Sequence, residues 1–181
     1  MAAIAGSTHA HIETYFTLLS GPAEAPPNAS PGTGYCTITL DLDLATMRVE
    51  AGFTGLQGGV TAAHIHGPTA NPFTGTAGVM TPLPTFPGFP SGVTSGVYDS
   101  TFDMTQASSY NPSFITSSGG TIGGAFSRLS LALAQGRAYL NIHSSSFPGG
   151  EIRGFFNLVP APTSAGLLAL GGLIATRRRR A

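Results

Sequence analysis

Every second residue of Tyr35-Cys36-Thr37-Ile38-Thr39-Leu40-Asp41-Leu42 falls on one side: Cys36, Ile38, Leu40 and Leu42 against Tyr35, Thr37, Thr39 and Asp41. A period of two marks a strand with one buried face, because successive side chains point to opposite sides of a sheet. The pattern recurs along the chain. Ile12, Thr14, Phe16 and Leu18 alternate with Glu13, Tyr15 and Thr17; Met47, Val49, Ala51 and Phe53 point inward from a third strand; Val97 to Met104 reads as another. Turn formers separate these runs: a Pro-rich loop at 21–31, Gly58-Gly59, and a stretch from Asn71 to Ser95 read as long loops with a short strand at Gly78 to Pro82. The chain's 25 Gly and 14 Pro, roughly twice the usual share, suit many short strands joined by tight turns. One segment, 125–136, instead places Phe126, Leu129 and Leu133 at helical spacing, with Gly136 as the stop. Residues 137–144 and 151–157 then form a hairpin around Pro148-Gly149-Gly150. The expected fold is all-β: an antiparallel sandwich or barrel of about seven to eight strands with one short helix, followed by a C-terminal apolar helix.

Charge narrows the function classes. The chain has no Lys, and four of its eight Arg form the run Arg177 to Arg180, so residues 1–160 carry four Arg against eight acids. A basic face for nucleic acid is excluded on that balance. The lone Cys36 rules out an internal disulfide and any multi-thiolate metal site, and reads as a small buried hydrophobe. No G-x-S-x-G elbow or phosphate loop occurs. Asp41 and Asp43 fall on the exposed side of their strand and make no acid pair for glycoside chemistry.

Two segments far apart hold three of the five histidines: Ala62-Ala63-His64-Ile65-His66-Gly67, and Tyr139-Leu140-Asn141-Ile142-His143 followed by Pro148-Gly149-Gly150-Glu151-Ile152-Arg153-Gly154. In a strand, His64 and His66 share a face about 6.6 Å apart while Ala63 and Ile65 take the other. Asn141 and His143 repeat that arrangement. A strand His-x-His can chelate one zinc or copper ion, and His143 from a neighbouring strand would complete a three-histidine site with an open position. Asn141 and Glu151 are the candidates to orient the rings from behind, with Arg153 paired to Glu151 as the simpler structural arrangement. The alternative is a strut: rings that hydrogen-bond to loop backbones and hold the 67–95 segment against the sheet without any ion. Both readings stand on the sequence.

These residues resemble the CHRD domain, named for its repeats in chordin and widespread in bacterial secreted proteins. The resemblance runs from about Tyr15 to Phe156. It is carried by Leu19-Ser20-Gly21, Glu24-Ala25-Pro26-Pro27, Ser30 to Gly34, Thr61 to Gly67, Tyr139 to His143 and Pro148 to Gly154. It implies no general enzymatic activity. The His-x-His strand is also distantly similar to Cu/Zn superoxide dismutase, but one Cys cannot supply that family's disulfide, and the histidines cannot fill its two metal sites.

The tail adds a location. Val159-Pro160-Ala161-Pro162 precedes an apolar run from Ala165 to Ala175 and then Arg177, Arg178, Arg179 and Arg180. This order resembles the PEP-CTERM sorting signal, with Ala161 where that family usually has Glu, and implies cleavage by an exosortase-type enzyme after transient anchoring in the inner membrane. As a helix the run rises about 16 Å, short of a hydrocarbon core of about 30 Å. Residues 1–10 resemble the end of a signal peptide; cleavage after Ala10 would leave His11 as an amino terminus able to chelate copper through amine and ring. The expected organisation is therefore a signal-peptide remnant at 1–10, a CHRD-like β domain at 11–157 and a sorting tail at 158–181. The expected role is that of an exported, surface- or matrix-associated, non-enzymatic β domain binding an unknown extracellular ligand; a mononuclear copper or zinc protein is the alternative.

Overall fold

The alternating runs become strands of one sheet in the computed structural model, which describes residues 11–160. The strands are β1 (Ile12–Ser20), β2 (Thr33–Asp41), β3 (Thr46–Thr54), β4 (Val60–His66), β5 (Gly96–Asp103), β6 (Tyr139–Ser144), β7 (Ile152–Phe155) and β8 (Asn157–Val159). They pair antiparallel in the order β4-β6-β7-β1-β2-β3-β5, with β8 added to β1. The sheet curls into a half-barrel, so the all-β antiparallel architecture is as expected. β8 carries the domain to Val159, two residues past the expected end at 157. The signal-peptide remnant, the C-terminal apolar helix, Pro162 and Arg177 to Arg180 lie outside the described residues. No described helix is long and apolar enough to cross a membrane.

Parity decides what is buried. Cys36, Ile38 and Leu40 from β2 and Met47, Val49, Ala51 and Phe53 from β3 line the concave side as expected. Full burial of Ile38, Leu40 or Met47 contributes about 1.5–3 kcal/mol each. β1 reverses the hydropathy reading: Tyr15, Thr17 and Leu19 face inward, and Ile12, Phe16 and Leu18 lie exposed on the convex side. The pairing of Tyr15 with Ile38 in β2 fixes that choice. The Tyr15 hydroxyl reaches the Glu13 carboxylate at 2.6 Å, so its ring packs inward with its polar end satisfied.

Two helices cover the open side. α1 (Pro112–Ser117), where no helix is expected from the sequence, starts at an Asn111 cap that accepts from the Ser113 N–H, with Pro112 at its first position. α2 (Ile122–Ala134) begins three residues before the expected start, at a Thr121 cap, and buries Ala125, Leu129, Ala132 and Leu133. Gly136, at φ +63°, ends it in the left-handed region that favours glycine.

The outer edge of β4 is sealed by the long loop after it. The loop N–H groups of Met80 and Phe86 donate to Ile65 and Ala63 oxygens, and Gly92 donates to Val60. In return Ala63 and Ile65 N–H groups donate to the Thr85 and Thr81 hydroxyls, and Val60 to the Val93 oxygen. The expected strand at 78–82 reduces to a single bridge between His66 and Val79. Side-chain hydroxyls do there what a ninth strand would otherwise do.

Candidate metal centre

β4 and β6 lie side by side, with His64 opposite Asn141, His66 opposite Tyr139 and Ala62 opposite His143. The strand period puts all three imidazoles on the face away from Ala63, Ile65, Leu140 and Ile142, which are fully buried in the core. The ring centroids are 5.4 Å apart for His64 and His143, 5.8 Å for His64 and His66, and 6.1 Å for His66 and His143. One ring nitrogen of each histidine lies within 4.8 Å of one from each of the others.

Each ring has one nitrogen committed to a backbone carbonyl. His64 Nε2 meets the Pro84 oxygen at 2.6 Å, His66 Nδ1 the Ala77 oxygen at 2.9 Å, and His143 Nδ1 the Pro148 oxygen at 2.9 Å. A carbonyl oxygen only accepts, so these nitrogens carry the proton and in a neutral ring the opposite nitrogen carries a lone pair. Those opposite atoms, His64 Nδ1, His66 Nε2 and His143 Nε2, are buried without a hydrogen-bond partner. The environment favours the neutral form of His64 and His66. Burial pushes the His66 imidazole down to about 4, against the opposing bond to Ala77, with the charges of His64, His143 and Arg153 lowering it further. Burial likewise lowers His64, opposed by the Pro84 bond and aided by His143.

The expected orienting side chains are elsewhere, and the carbonyls take their place. Glu151 bonds no imidazole: its carboxylate accepts from the Ser30 hydroxyl at 2.6 Å and from the Gln57 and Gly58 N–H groups at 2.6 and 3.4 Å. Arg153 does not pair with Glu151 either. Its guanidinium donates to the Ala23 and Gly75 oxygens, lies 3.8 Å from the Glu24 carboxylate and sits 4.9 Å above the Tyr139 ring. Asn141 is buried beside His64 in register yet bonds none of the rings, and its Oδ1 has no partner. His11 stands apart from the cluster, its N–H on the Asp43 carboxylate at 3.0 Å and its ring 3.5 Å from the same group.

Tyr139 belongs to the cluster although its residue type does not suggest a zinc or copper ligand. Its ring lies parallel to His66 at 5.0 Å and 7°, and its hydroxyl meets the Ala77 peptide that also orients His66. The signal was available, since residues 139, 141 and 143 share strand parity. Glu24 was not available in that way. Burial pushes its carboxyl up to about 7 against the opposing Arg153 charge and the Ala25 N–H, and no local pattern links residue 24 to residue 153.

The arrangement brings together three ring nitrogens from two paired strands, each ring fixed from behind by a loop carbonyl. Zinc or copper bound by imidazole at about 2 Å suits such a set, and three protein ligands leave a coordination position open. Comparison with curated proteins and with solved structures finds no match. A family model described as CHRD domain matches residues 15–156.

Proposed function

The chain belongs to the CHRD domain family, and from that premise we propose that it is a non-enzymatic β domain of an exported protein whose His64, His66 and His143 hold one copper or zinc ion. The observation that carries this reading is the set of three partnerless buried ring nitrogens. A strut accounts for one nitrogen of each ring and leaves the other desolvated, at about 1–3 kcal/mol for each unsatisfied group. An ion accounts for both. The strut and the ligand roles are then two sides of the same rings: the protonated nitrogen ties a loop, and the tie aims the lone pair.

The donor set also limits the chemistry. Three imidazoles, with no thiolate or carboxylate in the group, fit one zinc or copper ion and fall short of a two-metal dismutase. After metal is stripped from protein purified without a His tag, one equivalent of zinc or copper saturates it in a calorimetric titration, and elemental analysis of the reloaded, dialysed protein gives one ion per chain. A substoichiometric, unsaturable content overturns the proposal.

Export is read from the tail. Pro160 and Pro162, the apolar run and Arg177 to Arg180 support processing by an exosortase-type enzyme, with transient residence in the inner membrane and a final place on the cell surface or in the matrix. Mass spectrometry of the surface-located protein is expected to show a C-terminus before Arg177. A surface chain that retains all four arginines overturns processing.

A further inference from the structure

The three imidazoles stand further apart than a tetrahedral ion would hold them. Their centres form a nearly equilateral triangle with sides of 5.4, 5.8 and 6.1 Å. A ring bound through nitrogen at about 2 Å has its centre about 3.2 Å from the ion, so tetrahedral angles space two such centres about 5.2 Å apart and planar angles near 120° about 5.5 Å. Every side of the triangle exceeds the tetrahedral value. Three ligands in one plane with the ion have the widest spacing that a given bond length allows, so this set needs the smaller adjustment from rings that loop carbonyls already hold.

On the reading that this cluster holds an ion, we infer that the ion is monovalent copper, bound in the plane of His64 Nδ1, His66 Nε2 and His143 Nε2 with no fourth ligand. All three donor atoms are buried out of reach of solvent, so no water is at hand to complete a tetrahedron. Zinc is almost always four-coordinate and divalent copper takes a tetragonal set. Monovalent copper has a filled d shell and is satisfied by three nitrogens. Charge points the same way. No carboxylate or thiolate joins the group, so the bound ion keeps its full charge in a buried place. The Born cost of such burial grows with the square of the charge, and a dication costs about four times as much as a monocation of the same size. A fixed positive charge also stands behind His66: the Arg153 guanidinium lies 4.9 Å over the Tyr139 ring, which is stacked 5.0 Å from the His66 ring. Glu24, 3.8 Å from Arg153, offsets part of that charge, and Glu151 is engaged by Ser30, Gln57 and Gly58.

The test uses the full chain, stripped of metal and purified without a His tag. Monovalent copper is titrated without oxygen in the presence of ascorbate, in competition with a chromophoric chelator, and zinc is titrated in a parallel competition. One equivalent of monovalent copper is expected to bind at least about 100-fold more tightly than zinc, a margin of the size that desolvating a second charge sets. X-ray absorption of the copper-loaded protein is expected to show three nitrogen ligands at about 2 Å and no fourth. His66→Ala is expected to weaken the copper complex at least ~100-fold, whereas Cys36→Ala leaves it unchanged, because Cys36 is buried outside the group. Zinc as tight as copper, or a fourth ligand in the spectrum, overturns monovalent copper and leaves the one-ion site standing. Failure of both ions to bind overturns the site and this inference with it. Copper that persists in His66→Ala, or is lost in Cys36→Ala, sits elsewhere in the chain and overturns the inference as well.

Discussion

Replacing His66 with alanine is expected to lower the affinity for zinc or copper at least ~100-fold, since loss of a mere supporting group behind a ligand already costs 10–100-fold. The stabilisation that the ion confers goes with it: at a free concentration of about 100 times the wild-type dissociation constant, binding adds about 2.7 kcal/mol to the wild type and at most about 0.4 kcal/mol to the variant. A competition titration against a chromophoric chelator measures the first effect and thermal melts with and without ion the second. The metal-free variant also loses the bond to Ala77 and the stack on Tyr139, together about 1–3 kcal/mol. That second loss separates the two roles of the ring. Tyr139→Leu removes the stack together with the hydroxyl contact to the Ala77 peptide and the Arg153 guanidinium's seat on the ring while leaving all three imidazoles in place, and is expected to weaken the metal-free fold while keeping one-ion stoichiometry. Wild-type affinity in His66→Ala would leave the cluster as a strut.

The pH dependence follows from the same burial. His66 in the folded chain binds its proton only near pH 4, whereas an unfolded chain binds it near the ordinary 6.5. The unfolded state therefore holds more protons between those values, and the contribution of this group to stability is lost as pH falls from about 6.5 to about 4. Above that window His66 is ready to ligate without shedding a proton.

Glu151→Ala is expected to cost about 3–5 kcal/mol, measured by urea denaturation at pH 7. Glu151 is fully buried, and its carboxylate gathers the 20s loop, the β3–β4 connection and the β6–β7 turn by accepting from Ser30, Gln57 and Gly58. Removing it strands those donors inside the protein, and an unmet buried group costs far more than a neutral swap. Burial alone would raise this carboxyl, but hydrogen bonds from the Ser144 and Ser30 hydroxyls and the Gln57 and Gly58 N–H groups outweigh it and hold it below the usual carboxylate range. Its stabilisation is present above the unfolded value of about 4.5 and is lost as pH falls through the lower folded value. Glu151→Gln is expected to abolish that acid limb. A variant that keeps full stability at pH 7 and the same acid limb would remove Glu151 from this role.

The strands were legible wherever alternation was strict and the apolar side was the buried side, as in Cys36 to Leu40 and Met47 to Phe53. β1 was legible as a strand but not in its facing, because Tyr15 and Thr17 are less apolar than Phe16 and Leu18 and only the ladder to β2 decides which set turns inward. The histidine cluster was legible because parity and residue type agree. What holds the rings was legible only in kind, as hydrogen bonds to loop backbone that tie the 67–95 segment: a carbonyl is present at every residue, so sequence gives no sign that those of Ala77, Pro84 and Pro148 are the ones used. Glu151 and Arg153 were misplaced for a related reason. Their partners at Ser30, Gln57 and Glu24 are far away along the chain, and a hairpin argument considers only neighbours.

The sealed edge of β4 has a consequence for how this protein can fail. A sheet with two open edges can add strands at both ends and grow without limit into cross-β fibres. Here Thr81 and Thr85, with the main chain of Met80, Phe86 and Gly92, occupy one of the two ends. Whatever joins at β5 meets a terminus on the far side. Loosening that loop, by Thr81→Val together with Thr85→Val, would turn a self-limiting chain into one with two growing ends, and thioflavin-positive aggregation would report it.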